Sequence, residues 1–136
     1  MDPLKSISSI ASSGLRAQGT RLQIVAENVA NADTRGATPG ADPYRRKTVS
    51  FAEVLNGATG TSHVEVRDVG RAAGAFETVL DPSHPAADAD GLVKVSNVNT
   101  LLEMADMREA ARSYEANMTM FETGRTMRSR MLDLLK

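Results

Sequence analysis

The sequence predicts an α+β chain in which a long helix at each end flanks a small β-rich insert, and three observations predict it. Apolar residues from Leu4 to Val29 recur at helical spacing, and those from about Asn99 to Leu135 keep a seven-residue beat. The stretch between them alternates in short runs broken by glycine and proline. The chain is expected to divide into residues 1–36, 37–96 and 97–136, the first and last forming one helical domain as an antiparallel, coiled-coil-like pair.

The N-terminal helix is read from Leu4, Ile7, Ala11, Leu15, Leu22, Val25 and Val29, with Gly14 and Gln18 on the same face. At about 100° per residue these positions form one stripe, and Lys5, Ser9, Ser12, Arg16, Thr20, Gln23 and Glu27 fall opposite it. Asp2 before Pro3 makes a good start, because the carboxylate accepts from free first-turn amides and proline suits the first helical position.

In the C-terminal segment Met104, Ala111, Met118, Arg125 and Leu132 make one row, and Met107, Tyr114, Phe121, Arg128 and Leu135 a second. Alternating steps of three and four are the seam of a coiled coil. Arg125 and Arg128 interrupt it and need carboxylate partners or an exposed edge. Leu101, Leu102 and Ala105 add a shorter apolar side.

Four strand candidates lie between the helices: "YRRKTVSF" (44–51), "HVEVRDV" (63–69), "FETVL" (76–80) and "GLVKV" (91–95), separated by "NGATGT" and "DPSHPAADADG". With two phenylalanines this insert has a small core, and "DPSHPAAD" is expected as an exposed, extended loop.

Composition excludes several classes. Among 136 residues, sixteen basic and seventeen acidic side chains leave a formal net charge of −1, too little positive field for nucleic acid or an anionic membrane. With no cysteine there are no disulfides or thiolate metal sites. No run of about 18 apolar residues exists to insert in a bilayer, and "MDPLKSISSIASSGLRAQ" lacks the apolar core of a cleavable signal. No cofactor is expected. His63 and His84 match no zinc spacing, and Asp81, Ser83 and His84, crowded in one proline-rich loop, cannot readily converge as a hydrolase triad. Neither a catalytic nor a metal site is therefore expected. The short basic run in "GADPYRRK" reads as a solvated strand start.

The asparagines are the better clue. Asn28 and Asn31 lie at the end of the first helix, and Asn97 and Asn99 precede the second. One reading is capping, since asparagine accepts amide bonds at a helix start and tolerates the left-handed region at an end. The other is close helix contact, where a single buried asparagine fixes register.

The stretch "IASSGLRAQGTRLQIVAENVANADTRGATPGADPYRRKTVSF" resembles the N-terminal signature of the bacterial flagellar axial proteins of rod, hook and filament. Its Ser-Gly-Leu, Arg-Leu and Asn-x-Ala-Asn-x-x-Thr pattern is met by Ser13, Gly14, Leu15, Arg21, Leu22, Asn28, Ala30, Asn31 and Thr34. "DPSHPAADADGLV" and "NVNTLLEMADMREAARSYEANMTMFE" narrow the resemblance to the rod subunits at the proximal end of that family. Ala41 and Ser96 depart from it, standing where a glycine and a proline are more usual.

The resemblance implies a structural subunit of the proximal rod in the flagellar basal body, whose terminal helices pack into a periplasm-crossing drive shaft that transmits torque for motility. Implied partners are further copies of the chain, other proximal and distal rod proteins, and the adaptor at the MS-ring and export-gate end. Flagellar type III machinery exports such proteins without a cleaved signal. No enzyme activity is implied, and no nucleic acid or direct bilayer insertion. The expected subunit contacts are Leu4, Ile7, Ala11, Gly14, Leu15, Leu22, Val25, Asn28, Val29, Asn31 and Thr34 on the first helix, as an outward row. On the second they are Met104, Met107, Ala111, Tyr114, Met118, Phe121, Leu132 and Leu135. The alternatives are another flagellar axial subunit, a soluble coiled-coil adaptor forming a closed dimer, and an enzyme built on His63 and His84.

Overall fold

The computed structural model describes residues 2–136. The element order is α1 (Pro3–Ala30), β1 (Lys47–Asn56), β2 (Thr61–Arg71), β3 (Glu77–Leu80), β4 (Leu92–Val95) and α2 (Thr100–Leu134). This is the α+β arrangement of two long helices with a strand insert between them. Both helices start where their side chains dictate. The Asp2 carboxylate accepts from the Leu4 amide at 3.0 Å, with Pro3 as the first helical residue. The Asn99 side-chain oxygen accepts from the amides of Leu101 (3.1 Å) and Leu102 (3.3 Å), so Asn99 caps α2. At the end of α1 the Asn31 side-chain amide donates to the Glu27 carbonyl at 2.9 Å and closes the last turn.

The chain forms two compact units, and the division runs through both helices and both long strands. Among the described residues unit 1 takes 2–22, Val49–Asp68 and Arg108–Lys136; unit 2 takes Gln23–Thr48 and Val69–Met107.

In unit 1 the two helices run antiparallel. Gly14 lies against Asn117, Gly19 against Tyr114, and Gly124 against Ile7 and Ser8. The approach is close because it is made by small residues: a Cβ on Gly14 would stand 2.4 Å from the Asn117 side-chain oxygen, and one on Gly124 2.8 Å from the Ser8 hydroxyl. Ala11, Ala17 and Ala110 are buried in the same unit. β1 and β2 are joined by four residues, which allows only an antiparallel hairpin. The turn is held by the Gly60 amide on the Asn56 carbonyl at 2.8 Å, with Gly60 at φ +66°, a conformation that glycine adopts without strain. β2 is tied to α1 by the Ser13 hydroxyl, which accepts the Val64 amide at 3.2 Å while donating to the Ile10 carbonyl at 2.7 Å.

The seam of α2 differs from the expected one. Its buried positions are Glu103, Ala110 and Gly124, with Asn117 completing that seven-residue row, whereas Met104 and Leu132 of the expected row are exposed. Small and polar residues permit the closest backbone approach, and a search for apolar periodicity passes over them. On α1, Leu4, Ala11, Gly14, Val25 and Asn28 of the expected contact row are buried within the chain.

In unit 2, β3 and β4 pair antiparallel in the register Glu77↔Val95 to Leu80↔Leu92. Their connection, residues 81–91, is not the extended loop expected from its prolines but a string of tight turns. The amides of His84, Ala87 and Gly91 bond back to the carbonyls of Asp81, His84 and Asp88 respectively, and Ala86 is buried. The Asp88 carboxylate accepts the amides of Asp90 and Leu92, both at 2.9 Å. Short polar side chains that bond their own backbone favour turns over extension.

Candidate functional site

The most tightly determined polar cluster lies in unit 2, around the last turn of α1 and the first turn of α2. Asn28 is 0% exposed, and every hydrogen-bonding position of its amide is filled. Its nitrogen donates to the Lys47 carbonyl at 2.9 Å and to Glu103 Oε2 at 3.3 Å. Its oxygen accepts from the Tyr44 hydroxyl at 2.8 Å and from the Lys47 amide at 2.9 Å. Glu103, 1% exposed, uses its other oxygen to bind the Arg46 guanidinium. It also lies in the first turn of α2, where the helix dipole favours a carboxylate. The Arg46 amide donates to the Asn97 side-chain oxygen at 2.7 Å, and the Tyr44 amide to the Thr34 carbonyl at 3.1 Å.

These bonds explain why β1 begins at Lys47 and not at Tyr44. The backbone of residues 44–46 is taken by Thr34, Asn97 and Ala72, whose amide donates to the Arg46 carbonyl at 2.9 Å. Around this clamp Arg71 lies over the Tyr44 ring, 5.4 Å from its centre, and donates to the Arg45 carbonyl at 2.7 Å. Arg45 lies 4.1 Å from the centre of the Phe76 ring and bonds the carbonyls of Ala72 and Gly74. The run "YRRK" is thus consumed in structural contacts.

Lys47 adds an ion pair with Glu27. The Lys47 ammonium, helped by the Gln23 amide, holds the Glu27 carboxyl below its ordinary 4.5. A carboxyl that is more acidic folded than unfolded stabilises the fold above its unfolded value, and that contribution disappears as pH falls through the lowered folded value. The destabilisation caused by Glu27→Gln is therefore expected to be largest near about pH 7 and to shrink at about pH 3. Urea midpoints of both proteins at the two pH values check this; a gap that widens in acid contradicts it.

The asparagines divide their roles. Asn31 and Asn99 cap helices, Asn97 anchors the start of β1, and Asn28 is the buried clamp. Of the remaining expected contact residues in the N-terminal segment, Ile7, Leu15, Leu22 and Val29 on α1 are half-buried, and Thr34 beyond it is exposed. On α2 Met107, Ala111, Tyr114, Met118 and Phe121 are half-buried, whereas Met104, Leu132 and Leu135 are exposed. The sequence pattern does not single out Glu103, Tyr44, Arg46 or Lys47. The available signal is Glu103, a carboxylate seven residues before Ala110 and fourteen before Asn117 on a row that otherwise reads as small.

Both histidines serve local structure. His63 Nε2 shares a 2.8 Å hydrogen bond with the Ser9 hydroxyl, and His84 Nδ1 accepts the Ala86 amide at 3.0 Å. Among the described residues no three His, Cys, Asp or Glu side chains gather as a metal site, and no helix is long and apolar enough to cross a membrane.

A clamp joining two long terminal helices to the first strand of their insert is matched by family models at both ends of the chain. Residues 9–38 match the flagella basal body rod protein model, and residues 89–134 match the C-terminal model of the flagellar basal body rod FlgEFG proteins. The chain belongs to the flagellar basal-body rod proteins. Relatives named flagellar basal-body rod protein FlgC match over nearly their whole length. That of Agrobacterium fabrum is 54% identical over 136 residues, covering 100% of this chain and 98% of the relative. That of Escherichia coli is 41% identical over 133 residues (96% and 97%), and that of Bacillus subtilis 35% over 143 residues (94% and 95%). Within the rod proteins, the chain is a member of the FlgC family.

Proposed function

We infer that this chain is a structural subunit of the proximal rod, built through its terminal helices, residues 1–36 and 97–136, into the periplasm-crossing shaft that carries torque. The name its relatives carry supports the rod; the surface of α2 supports assembly. Leu101, Leu102, Met104, Met120, Met127, Met131, Leu132 and Leu134 are all exposed on one helix. Burying a leucine contributes about 1.5 to 3 kcal/mol, so a helix left this apolar gains from neighbours. The neighbours in this reading are further copies, other proximal and distal rod proteins, and the adaptor at the MS-ring and export-gate end, with delivery by type III export and no cleaved signal. The expected contacts rest on the positions still open to a neighbour, Thr34, Met104, Leu132 and Leu135 foremost. Positions already buried within the chain, such as Val25 and Asn28, act by shaping the subunit. Torque passes through many repeated contacts, and the chain has a structural role in place of a catalytic one.

The test is a double substitution on this surface. Leu101→Glu with Leu102→Glu is expected to leave helix content unchanged by circular dichroism and to abolish soft-agar swimming in a strain lacking the native copy. Normal swimming with complete rods would sink the reading.

A further inference from the structure

α2 continues well past the start of α1. In unit 1 Gly124 of α2 lies beside Leu4, Ile7 and Ser8, where α1 has only just begun. Beyond it the ten residues Arg125–Leu134 extend α2 by about 15 Å, and every residue from Arg125 onward is exposed. This overhang, with the residue after it, carries Met131, Leu132 and Leu135, all exposed. It also carries Arg125, Arg128 and Arg130, none of which has a carboxylate partner among the described residues; Asp133 pairs with Lys136. Two overhangs facing each other would oppose like charges, which argues against a closed, symmetric pairing.

The chain itself presents a surface of opposite character. From Glu77 to Gly91 it has four acidic residues, Glu77, Asp81, Asp88 and Asp90, and no lysine or arginine. No cation pairs with any of the four among the described residues. Val79 and Leu80 are exposed beside them. The β1–β2 hairpin also exposes apolar residues, Val54 and Leu55, but there Lys47, Arg67 and Arg71 balance Glu53, Glu65 and Asp68. Charge complementarity therefore selects the β3 strand and the turns after it.

We propose that the C-terminal overhang of α2 docks on β3 and the 81–91 turns of a second copy of this chain. Met131, Leu132 and Leu135 cover Val79 and Leu80, and Arg128 and Arg130 meet Asp88 and Asp90. The contact is heterologous, each copy offering a different surface at its two sides, and so propagates an open assembly. It rests on the rod reading and names one of the contacts that reading requires.

The absence of native cysteine makes the test clean. Asp90 and Arg130 are exposed, and among the described residues neither side chain makes a hydrogen bond or ion pair, so Asp90→Cys and Arg130→Cys are expected to leave the fold intact. In basal bodies purified after mild oxidation, the double variant is expected to give disulfide-linked dimers and higher oligomers of this chain, and either single variant none of that ladder. In the second arm, Arg128→Glu with Arg130→Glu is expected to cut swim-ring expansion at least severalfold, and adding Asp90→Arg to restore part of it. Intact basal bodies that contain the double-cysteine chain without the ladder overturn the docking and leave the rod reading standing. Basal bodies complete without this chain overturn both.

Discussion

Asn28→Leu is expected to destabilise the chain by about 3 kcal/mol or more in chemical denaturation, a larger loss than any other single substitution at the clamp. The substitution keeps the volume and removes four bonds at once. It leaves the Lys47 amide and carbonyl, the Tyr44 hydroxyl and one Glu103 oxygen without their partner. Each buried group left unsatisfied costs about 1 to 3 kcal/mol, and relaxation toward water recovers part of the sum. Glu103→Leu alone strands the Arg46 guanidinium and the Asn28 nitrogen. Because the two residues share one network, the double variant is expected to fall short of the summed single losses by at least about 1 kcal/mol. A loss below about 1 kcal/mol for Asn28→Leu, with additive behaviour in the double variant, contradicts the clamp.

Gly36→Ala is expected to cost about 2 kcal/mol, more than adding a methyl group to an ordinary loop. A Cβ there would lie 2.5 Å from Ala41 Cβ and 2.9 Å from the Ala41 carbonyl oxygen, and backbone cannot rotate away as a side chain can. The segment between α1 and β1 would shift, and with it the Thr34–Tyr44 bond that leads into the clamp. Hydrogen exchange at the Tyr44 amide is therefore expected to speed up along with the loss in stability. Gly36→Ala with Ala41→Gly removes the Cβ–Cβ overlap and is expected to recover part of the cost. Unchanged stability in Gly36→Ala contradicts the close approach.

The helices are legible in the sequence because their signals are local. Asp2–Pro3 and Asn99 mark the starts, and the periodic stripes mark the lengths. The four strands of the insert are legible in kind, though not their pairing, with bounds off by a few residues where side chains from distant segments claim the backbone, as Asn97 does at Arg46. The direction in which each helix stripe faces is not legible. A row of Glu103, Ala110, Asn117 and Gly124 has almost no hydrophobicity, yet its small residues allow the closest approach and Glu103 is buried only because Arg46 and Asn28 meet it. That partnership spans 57 positions between Arg46 and Glu103 and 75 between Asn28 and Glu103, which no local pattern encodes. The turns after β3 depart from expectation for a related reason: proline suggests extension, and the bonds of Asp88 to its own stretch of backbone decide otherwise.

Asn28 also bears on chemical ageing. Deamidation of an asparagine begins when the next backbone nitrogen attacks the side-chain carbonyl, which requires the amide to swing and the backbone to leave the helix. At Asn28 the carbonyl is held from two sides and the following residue is still within α1. The reaction that would set a new carboxylate against Glu103 is thus blocked by the contacts it would destroy.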